Sequence, residues 1–187
     1  MDRRDALRLI GTAAALPAFA GLDAGRLWAI AESTHLRAGT AAGAALDAHQ
    51  LETVALIAEH ILPRTDTPGA GDAGVPAFVD LLLAEWYDET ERARFLEGLA
   101  AIDGSSGVAG GLVSLAAPAQ VALLQALDAS ATAPSTEGTA LAPGSAGHTY
   151  GTLKRLTLYG YFTSQPVMTT VLKTTIWPGR YDGCVPA

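Results

Sequence analysis

The residue types that most often carry catalysis occur in this chain, but their spacing favours neither a catalytic nor a metal site. No histidine stands in the i, i+4 helical register with a set of carboxylate ligands, as a metal site on a helix requires. His60 follows Glu59 directly, and neighbouring helix positions point about 100° apart, so these two side chains do not converge. We interpret His60 as a solvated or capping residue. The histidines are His35, His49, His60 and His148.

The serines, carboxylates and glycines of the chain also show no pattern of a catalytic or phosphate-binding site. Ser105, Ser106 and Ser130 lack the Gly-x-Ser-x-Gly turn of a serine hydrolase. The glycines between residues 104 and 111 precede a helical region rather than follow a strand, so they indicate a flexible loop and not a phosphate cradle. Several acidic residues could pair in space, but we assign them to loops and helix caps. These acidic residues are Asp66, Asp72, Asp80, Glu85 and Asp88. We expect no catalytic residue, bound cofactor or metal in this chain.

The chain has one cysteine, Cys184, close to its carboxyl end. A single cysteine excludes a c-type haem attachment, an iron–sulfur cluster and a cysteine zinc site. In an oxidising compartment a lone thiol suggests a disulfide with another chain. An unpaired thiol packed against the surface explains the same residue, and the spacing leaves both interpretations open.

The amino terminus has the features of a twin-arginine export signal. Arg3 and Arg4 precede an uncharged stretch over residues 9–22, and the small-x-small sequence Ala18-Phe19-Ala20 suits a cleavage site. A cytoplasmic amphipathic helix that begins with two arginines is the alternative. Because the twin-arginine route carries folded proteins, often with a cofactor inside, the chain either holds a cofactor or travels bound to a protein that does. The lack of a visible cofactor site favours the second possibility.

Composition narrows the class of protein further. The 187 residues carry a net charge of -7, which argues against binding to nucleic acid. Apolar residues make up 49% of the chain, enough for the core of one domain. No segment after residue 22 is long and apolar enough to span a membrane.

Helical patterns follow a predicted linker or arm over residues 21–46. Asp47 and Gln50 form a capping box, and the helix that they begin ends at Pro63. A loop rich in proline, glycine and aspartate covers residues 63–74, and a helix that is apolar almost all round follows from Val75.

Three further helices are predicted along the rest of the chain. One begins at the Asp88–Glu91 capping pattern, one covers residues 115–129 with Val121, Leu124 and Leu127 facing inward, and one covers residues 150–164. A low-complexity, flexible insert is predicted at about 130–147, and an extended tail closes the chain. The sequence thus predicts an all-α fold: one compact multi-helix domain over residues 47–187 with long ordered loops.

Several segments resemble the gluconate 2-dehydrogenase subunit 3 family. The resemblance lies in residues 60–70, which contain Pro-Arg-Thr-Asp-Thr-Pro-Gly, and in residues 73–80, which contain Gly-Val-Pro-Ala-Phe. It continues in residues 153–164 and in the closing segment 178–186, and it extends from about residue 47 to the end. The export signal is also typical of such proteins.

The resemblance implies a non-catalytic small subunit of an exported sugar or sugar-acid dehydrogenase. It implies a large flavoprotein partner of the glucose–methanol–choline type that holds FAD, and a c-type cytochrome subunit that carries haem. The small subunit would supply the signal read by the twin-arginine translocase and support maturation of the flavoprotein. The complex would be periplasmic, held at the inner membrane through a partner. The alternatives are an independent exported enzyme and a free-standing sugar-binding module.

On this hypothesis, exposed aromatic and charged residues would contact the flavoprotein. We expect the planar guanidinium groups of Arg64 and Arg180 to pair with its carboxylates, and Cys184 is a candidate for a disulfide with it. The aromatic candidates have an alternative role in the domain's own core, which we expect for about half of them. The interface candidates are Arg64, Asp66, Phe78, Trp86, Tyr161, Phe162, Arg180 and Tyr181.

Overall fold

The computed structural model describes residues 24–38, 44–132 and 141–173. Over these residues the fold is all-α, as the sequence predicts, and no strand occurs among them. The helices are α1 (Ala24–Ala38), α2 (Ala48–Ile61), α3 (Val75–Glu85), α4 (Glu89–Gly104), α5 (Ala117–Thr132), α6 (Ala146–Thr163) and α7 (Gln165–Thr170), with a short 3-10 helix at Leu112–Ser114.

Helix α6 is the centre of the fold, because it packs against each of the other six α-helices. Most of its residues are buried, including Leu153, Leu156 and Phe162. Helix α3 is the second buried element, and it packs against α1, α2 and α6. Helix α3 has apolar residues on almost every face because a helix surrounded by others buries side chains all round.

Local signals fix several helix ends as predicted. At the start of α2, the Asp47 carboxylate accepts the Gln50 N–H at 2.8 Å and the Gln50 side chain accepts the Asp47 N–H at 2.9 Å. Asp88 and Glu91 form the same reciprocal pair at the start of α4. Helix α2 ends at Ile61, two residues before Pro63, because a proline disfavours the helical conformation of the residue before it.

The predicted linker or arm over residues 21–46 contains a helix that we did not expect. Helix α1 packs on α3 and α6, and Ile30, Ala31 and Thr34 are buried there. The segment Ala24–Ala38 is amphipathic at helical spacing, and this signal could have identified the helix. The structure therefore extends the packed domain before residue 47.

Two other expectations need correction. Val121 is 39% exposed on α5, whereas Leu124 and Leu127 are buried as predicted. Within the predicted flexible insert, residues 130–132 continue α5 and Ala146 already begins α6, while residues 133–140 lie outside the described part of the chain. The predicted tail beyond residue 173 also lies outside it. In the part that is described, no helix is both long and apolar enough to cross a membrane.

Candidate partner-binding surface

Two carboxylates hold the loop between α2 and α3, residues 62–74, in one conformation. Glu59 accepts the backbone N–H of Arg64 at 2.9 Å and that of Gly71 at 3.1 Å. Asp72 accepts the N–H of Gly69 at 3.0 Å. Such side-chain acceptors satisfy backbone donors that a loop otherwise leaves to water. The loop is therefore an ordered surface, although it has no regular secondary structure.

Gly69 is required by the close approach of the Glu59 carboxylate. A Cβ atom at this position would lie 2.5 Å from Glu59 Oε1 and 2.8 Å from the Arg64 nitrogen. Neither neighbour can move without losing the hydrogen bond between them. The glycine in the Pro-Arg-Thr-Asp-Thr-Pro-Gly segment thus allows the loop to fold back on α2.

The Arg64 side chain already has a carboxylate partner within the chain. Its Nε donates to Asp72 Oδ2 at 2.6 Å, and its Nη2 contacts the other oxygen of the same carboxylate. The guanidinium that was expected to pair with a flavoprotein carboxylate therefore binds Asp72 of its own chain through two nitrogens. The Arg64 side chain is still 69% exposed, and Asp66 beside it is exposed too. Arg64 and Asp66 therefore present charge to solvent from a fixed backbone.

Of the five aromatic residues predicted at the interface, four lie in the described part of the chain, and three of these lie inside the domain, which corrects their assignment to the interface. Phe78 is fully buried, and Tyr161 and Phe162 are 4% and 5% exposed. The Tyr161 hydroxyl donates to the Pro68 carbonyl at 2.7 Å, so this residue ties the loop to α6 from within. Trp86, at the end of α3, is 40% exposed. Of the four described aromatic residues, Trp86 alone can contact a partner without a change of structure.

A shallow groove of about 490 Å³ lies beside the loop, between α2 and the 3-10 helix. Its apolar lining includes Leu56, Pro63 and Val113, and Glu52 and Glu59 stand among its polar residues. His60 also lines it and is exposed, with its Nε2 3.3 Å from the Gln120 side-chain oxygen. This geometry agrees with a solvated His60.

Two polar residues packed inside the domain have structural roles that the sequence did not predict. Asp80, which we assigned to a loop or cap, is fully buried in α3 and accepts the N–H groups of Ala44, Ala45 and Leu46, each at 2.8 Å. A carboxylate with three backbone donors fixes the segment that leads into α2. The only sequence signal was an aspartate within an apolar helix.

His35 is the second missed residue. Its ring stacks on Phe78 with centroids 4.3 Å apart, and its Nε2 lies 3.0 Å from Thr163 Oγ1. Burial lowers the pKa of His35 to about 4, against the opposing effect of a hydrogen bond with the Gly160 backbone. The imidazole is therefore neutral at pH 7 and packs as part of the core.

Some predicted site residues lie outside the described part of the chain. They are Arg3, Arg4, Arg180, Tyr181 and Cys184. Within the described ranges, no group of three or more His, Cys, Asp or Glu side chains is arranged to hold a metal ion.

Comparison with known proteins gives one match. A family model described as gluconate 2-dehydrogenase subunit 3 matches residues 48–179. No curated protein and no solved structure matches the chain. The matched range begins with α2 and includes the ordered loop, the buried α3 and the central α6.

Proposed function

The chain belongs to the gluconate 2-dehydrogenase subunit 3 family, and on this premise we propose that it is the non-catalytic small subunit of an exported dehydrogenase complex. The catalytic partner is a flavoprotein of the glucose–methanol–choline type that holds FAD and oxidises an alcohol group of a sugar or sugar acid. A c-type cytochrome is the third component and accepts the electrons. The small subunit supplies the export signal and stabilises the flavoprotein.

The observation that carries this proposal is the exposed and preorganised loop between α2 and α3. The side chains of Glu59, Asp72 and Tyr161 hold this loop through hydrogen bonds to its backbone. Arg64 and Asp66 remain exposed at its surface. A loop that is already ordered loses little conformational entropy on binding, so it suits recognition of a partner protein. Trp86 adds an exposed aromatic side chain of the type that dominates interface energetics.

The partner and the compartment follow from this proposal together with the amino-terminal sequence. The Arg3-Arg4 pair directs the folded complex to the twin-arginine translocase, which places it in the periplasm. The complex stays at the inner membrane through another subunit.

Co-purification tests the proposal directly. The full chain, tagged at its carboxyl end, is purified from cells that also express a flavoprotein of the glucose–methanol–choline type from the same source. The eluate is tested for flavin and for oxidation of sugar acids with an artificial electron acceptor. We expect flavin and activity to follow the tag, and the isolated small chain to show neither. Turnover by the isolated chain, or an eluate without flavoprotein, would contradict the proposal.

Substitution of Trp86 tests the surface. Trp86→Ala removes an exposed aromatic anchor, and we expect the affinity for the flavoprotein to fall about tenfold or more. Val108→Ala is the matched control, because Val108 is 46% exposed on the turn after α4. Equal affinities for the two variants would exclude Trp86 from the interface.

A further inference from the structure

The groove beside the ordered loop is formed by one continuous face of α2. The residues of α2 that line it follow the three- and four-residue spacing of a single helix face, and they are Glu52, Ala55, Leu56, Glu59 and His60. Along the helix axis, Ala55 and Leu56 lie between the carboxylates of Glu52 and Glu59, which are about 10 Å apart by the rise of the helix. Val113 of the 3-10 helix lines the groove as well. The groove thus has an apolar centre with a carboxylate toward each end.

Neither of these carboxylates is neutralised by a cation of the described chain. Glu52 is exposed, and no described residue pairs with it. Glu59 accepts two backbone N–H groups, which leave its negative charge in place. The basic side chains nearest in sequence have other partners, since Arg64 binds Asp72 and His49 contacts a carboxylate of α4. The groove therefore carries uncompensated negative charge.

The third polar side chain of the groove, His60, also offers an acceptor. The Gln120 amide nitrogen donates to the Leu112 carbonyl at 3.4 Å, so the amide oxygen accepts from His60 Nε2 at 3.3 Å. This arrangement places the proton of the neutral imidazole on Nε2 and leaves Nδ1 as an acceptor. In this state, the polar side chains that line the groove have acceptors to offer and no donor left.

A lysine or arginine side chain matches these acceptors. Its ammonium or guanidinium group only donates, and its aliphatic stem can lie along apolar surface such as Leu56. Glu59 can accept from such a group in addition to its two backbone donors, because a carboxylate has about four acceptor positions. An acidic segment would be repelled by the same two carboxylates.

We propose that the groove binds a segment of the flavoprotein that carries an apolar side chain between two basic ones. This inference rests on the proposed function and names the chemistry of the partner segment. Glu59 lines the groove and also holds the loop between α2 and α3, so the groove and the proposed interface form one surface. The basic side chains pair with Glu52 and Glu59, and the apolar side chain packs between them on Leu56.

Charge reversal at one end of the groove tests the inference. Glu52→Lys replaces an acceptor by a cation, so the affinity for the flavoprotein should fall about tenfold or more. The Tm of the full chain alone should stay the same, because Glu52 has no described partner. Glu97→Lys is the matched control, since Glu97 is exposed on α4 outside the groove and the net charge changes equally. Immobilised, tagged chains are titrated with the flavoprotein, and bound flavin measures the affinity.

A cation placed inside the groove should affect stability and binding differently. In Ala55→Arg the new side chain lies three residues after Glu52 and four before Glu59, a spacing at which opposite charges pair on a helix. The Tm should therefore be retained or rise slightly. The affinity for the flavoprotein should fall about 30-fold, because the groove is filled and its charge is compensated.

Salt separates the effect of charge from that of shape. Glu52→Gln keeps the size of the side chain and removes its charge. The affinity of the wild-type chain should fall as NaCl is raised from about 0.05 to about 0.5 M, and that of Glu52→Gln should fall less steeply, because screening acts on fewer charges. Parallel salt curves for the two chains would show that Glu52 faces no cation of the partner, and the inference would be wrong.

Two further outcomes would also overturn the inference. Glu52→Lys and Ala55→Arg could bind the flavoprotein as tightly as Glu97→Lys does, which would place the groove outside the interface. The wild-type chain alone could form a dimer that Ala55→Arg dissociates, with the affinity for the flavoprotein unchanged, and the groove would then belong to a second copy. Failure of the proposed function has a different signature, since the wild-type chain itself would then retain no flavoprotein at any salt concentration.

Discussion

Single carboxylates hold the irregular parts of this protein in place. Glu59 and Asp72 organise the loop between α2 and α3, and Asp80 holds the segment before α2 from inside the core. Each accepts backbone N–H groups that lie outside regular helices. Because a carboxylate has several acceptor positions, one side chain can accept several backbone N–H groups of a turn that have no partner in a helix.

We expect Asp80→Ala to destabilise the domain by about 3 kcal/mol or more, because it leaves three backbone donors without their acceptor. Asp80→Asn should have a smaller effect, since the remaining oxygen still accepts from Ala45 and Leu46. Urea unfolding followed by circular dichroism measures both changes. Asp128→Ala is the control: Asp128 forms a half-exposed pair with Lys154, and its removal should change stability by less than about 1 kcal/mol. Similar losses for Asp80→Ala and Asp128→Ala would contradict the role of Asp80.

At the scale of elements, helix contacts depend on small residues at close approaches. Gly160 on α6 faces the Phe78 ring of α3, and a Cβ atom there would lie 2.7 Å from the nearest ring carbon. The ring is fully buried and also stacks on His35, so it has little room to move. The distance between α3 and α6 is therefore set by the absence of a side chain.

Gly160→Ala should lower the free energy of unfolding by about 1–3 kcal/mol, because the added methyl group overpacks the core. Gly104→Ala is a matched control at the last residue of α4, where a Cβ atom would meet nothing within 4 Å. We expect this control to be neutral or slightly stabilising, since alanine favours helix over glycine. Thermal unfolding compares the two variants, and equal Tm values would show that the core adapts to the extra methyl.

Docking of α1 should depend on pH through His35. Burial lowers its pKa in the folded protein to about 4, from the ordinary histidine value of 6.5, so the fold stabilises the neutral form. This contribution is complete above pH 6.5 and is lost as the pH falls through 4, by about 3 kcal/mol in total. The Arg37–Glu85 pair also joins α1 to α3, but its exposed position limits its contribution to about 1 kcal/mol or less.

Hydrogen exchange of α1 between pH 7 and pH 4.5 measures this loss, after correction for the intrinsic pH dependence of exchange. His35→Phe keeps an aromatic ring against Phe78 and removes the titrating group, so protection of α1 should become independent of pH. If the variant lost protection in the same way as the wild type, another group would be responsible.

At the scale of the whole molecule, the proposed function depends on the export signal of this chain and on its binding to the flavoprotein. Replacement of Arg3 and Arg4 by lysine should leave both this chain and its flavoprotein in the cytoplasm, because the signal would no longer be recognised by the translocase. Cell fractionation followed by flavin and activity assays measures the result. Arg8→Lys is the control, and it should not change export. Arrival of the flavoprotein in the periplasm with the double variant would show that its export does not depend on this chain.

The sequence by itself determined the features that depend on residues close together along the chain. Asp47 with Gln50 and Asp88 with Glu91 predicted two helix starts, and Pro63 predicted an end, because capping and proline effects act within about four residues. Helical periodicity gave the all-α class, and the Pro-Arg-Thr-Asp-Thr-Pro-Gly segment indicated the family that the match over residues 48–179 then showed.

Only the tertiary structure decided which of the candidate interface side chains are exposed and can contact another molecule. Phe78 lies on α3 and Trp86 directly follows that helix, and both are aromatic interface candidates in the sequence. Helices α1 and α6 cover Phe78, whereas Trp86 stays exposed. Asp80 is buried against backbone groups 34 to 36 residues away. Burial and charge compensation depend on which distant surfaces meet, and no pattern within one helix contains that information.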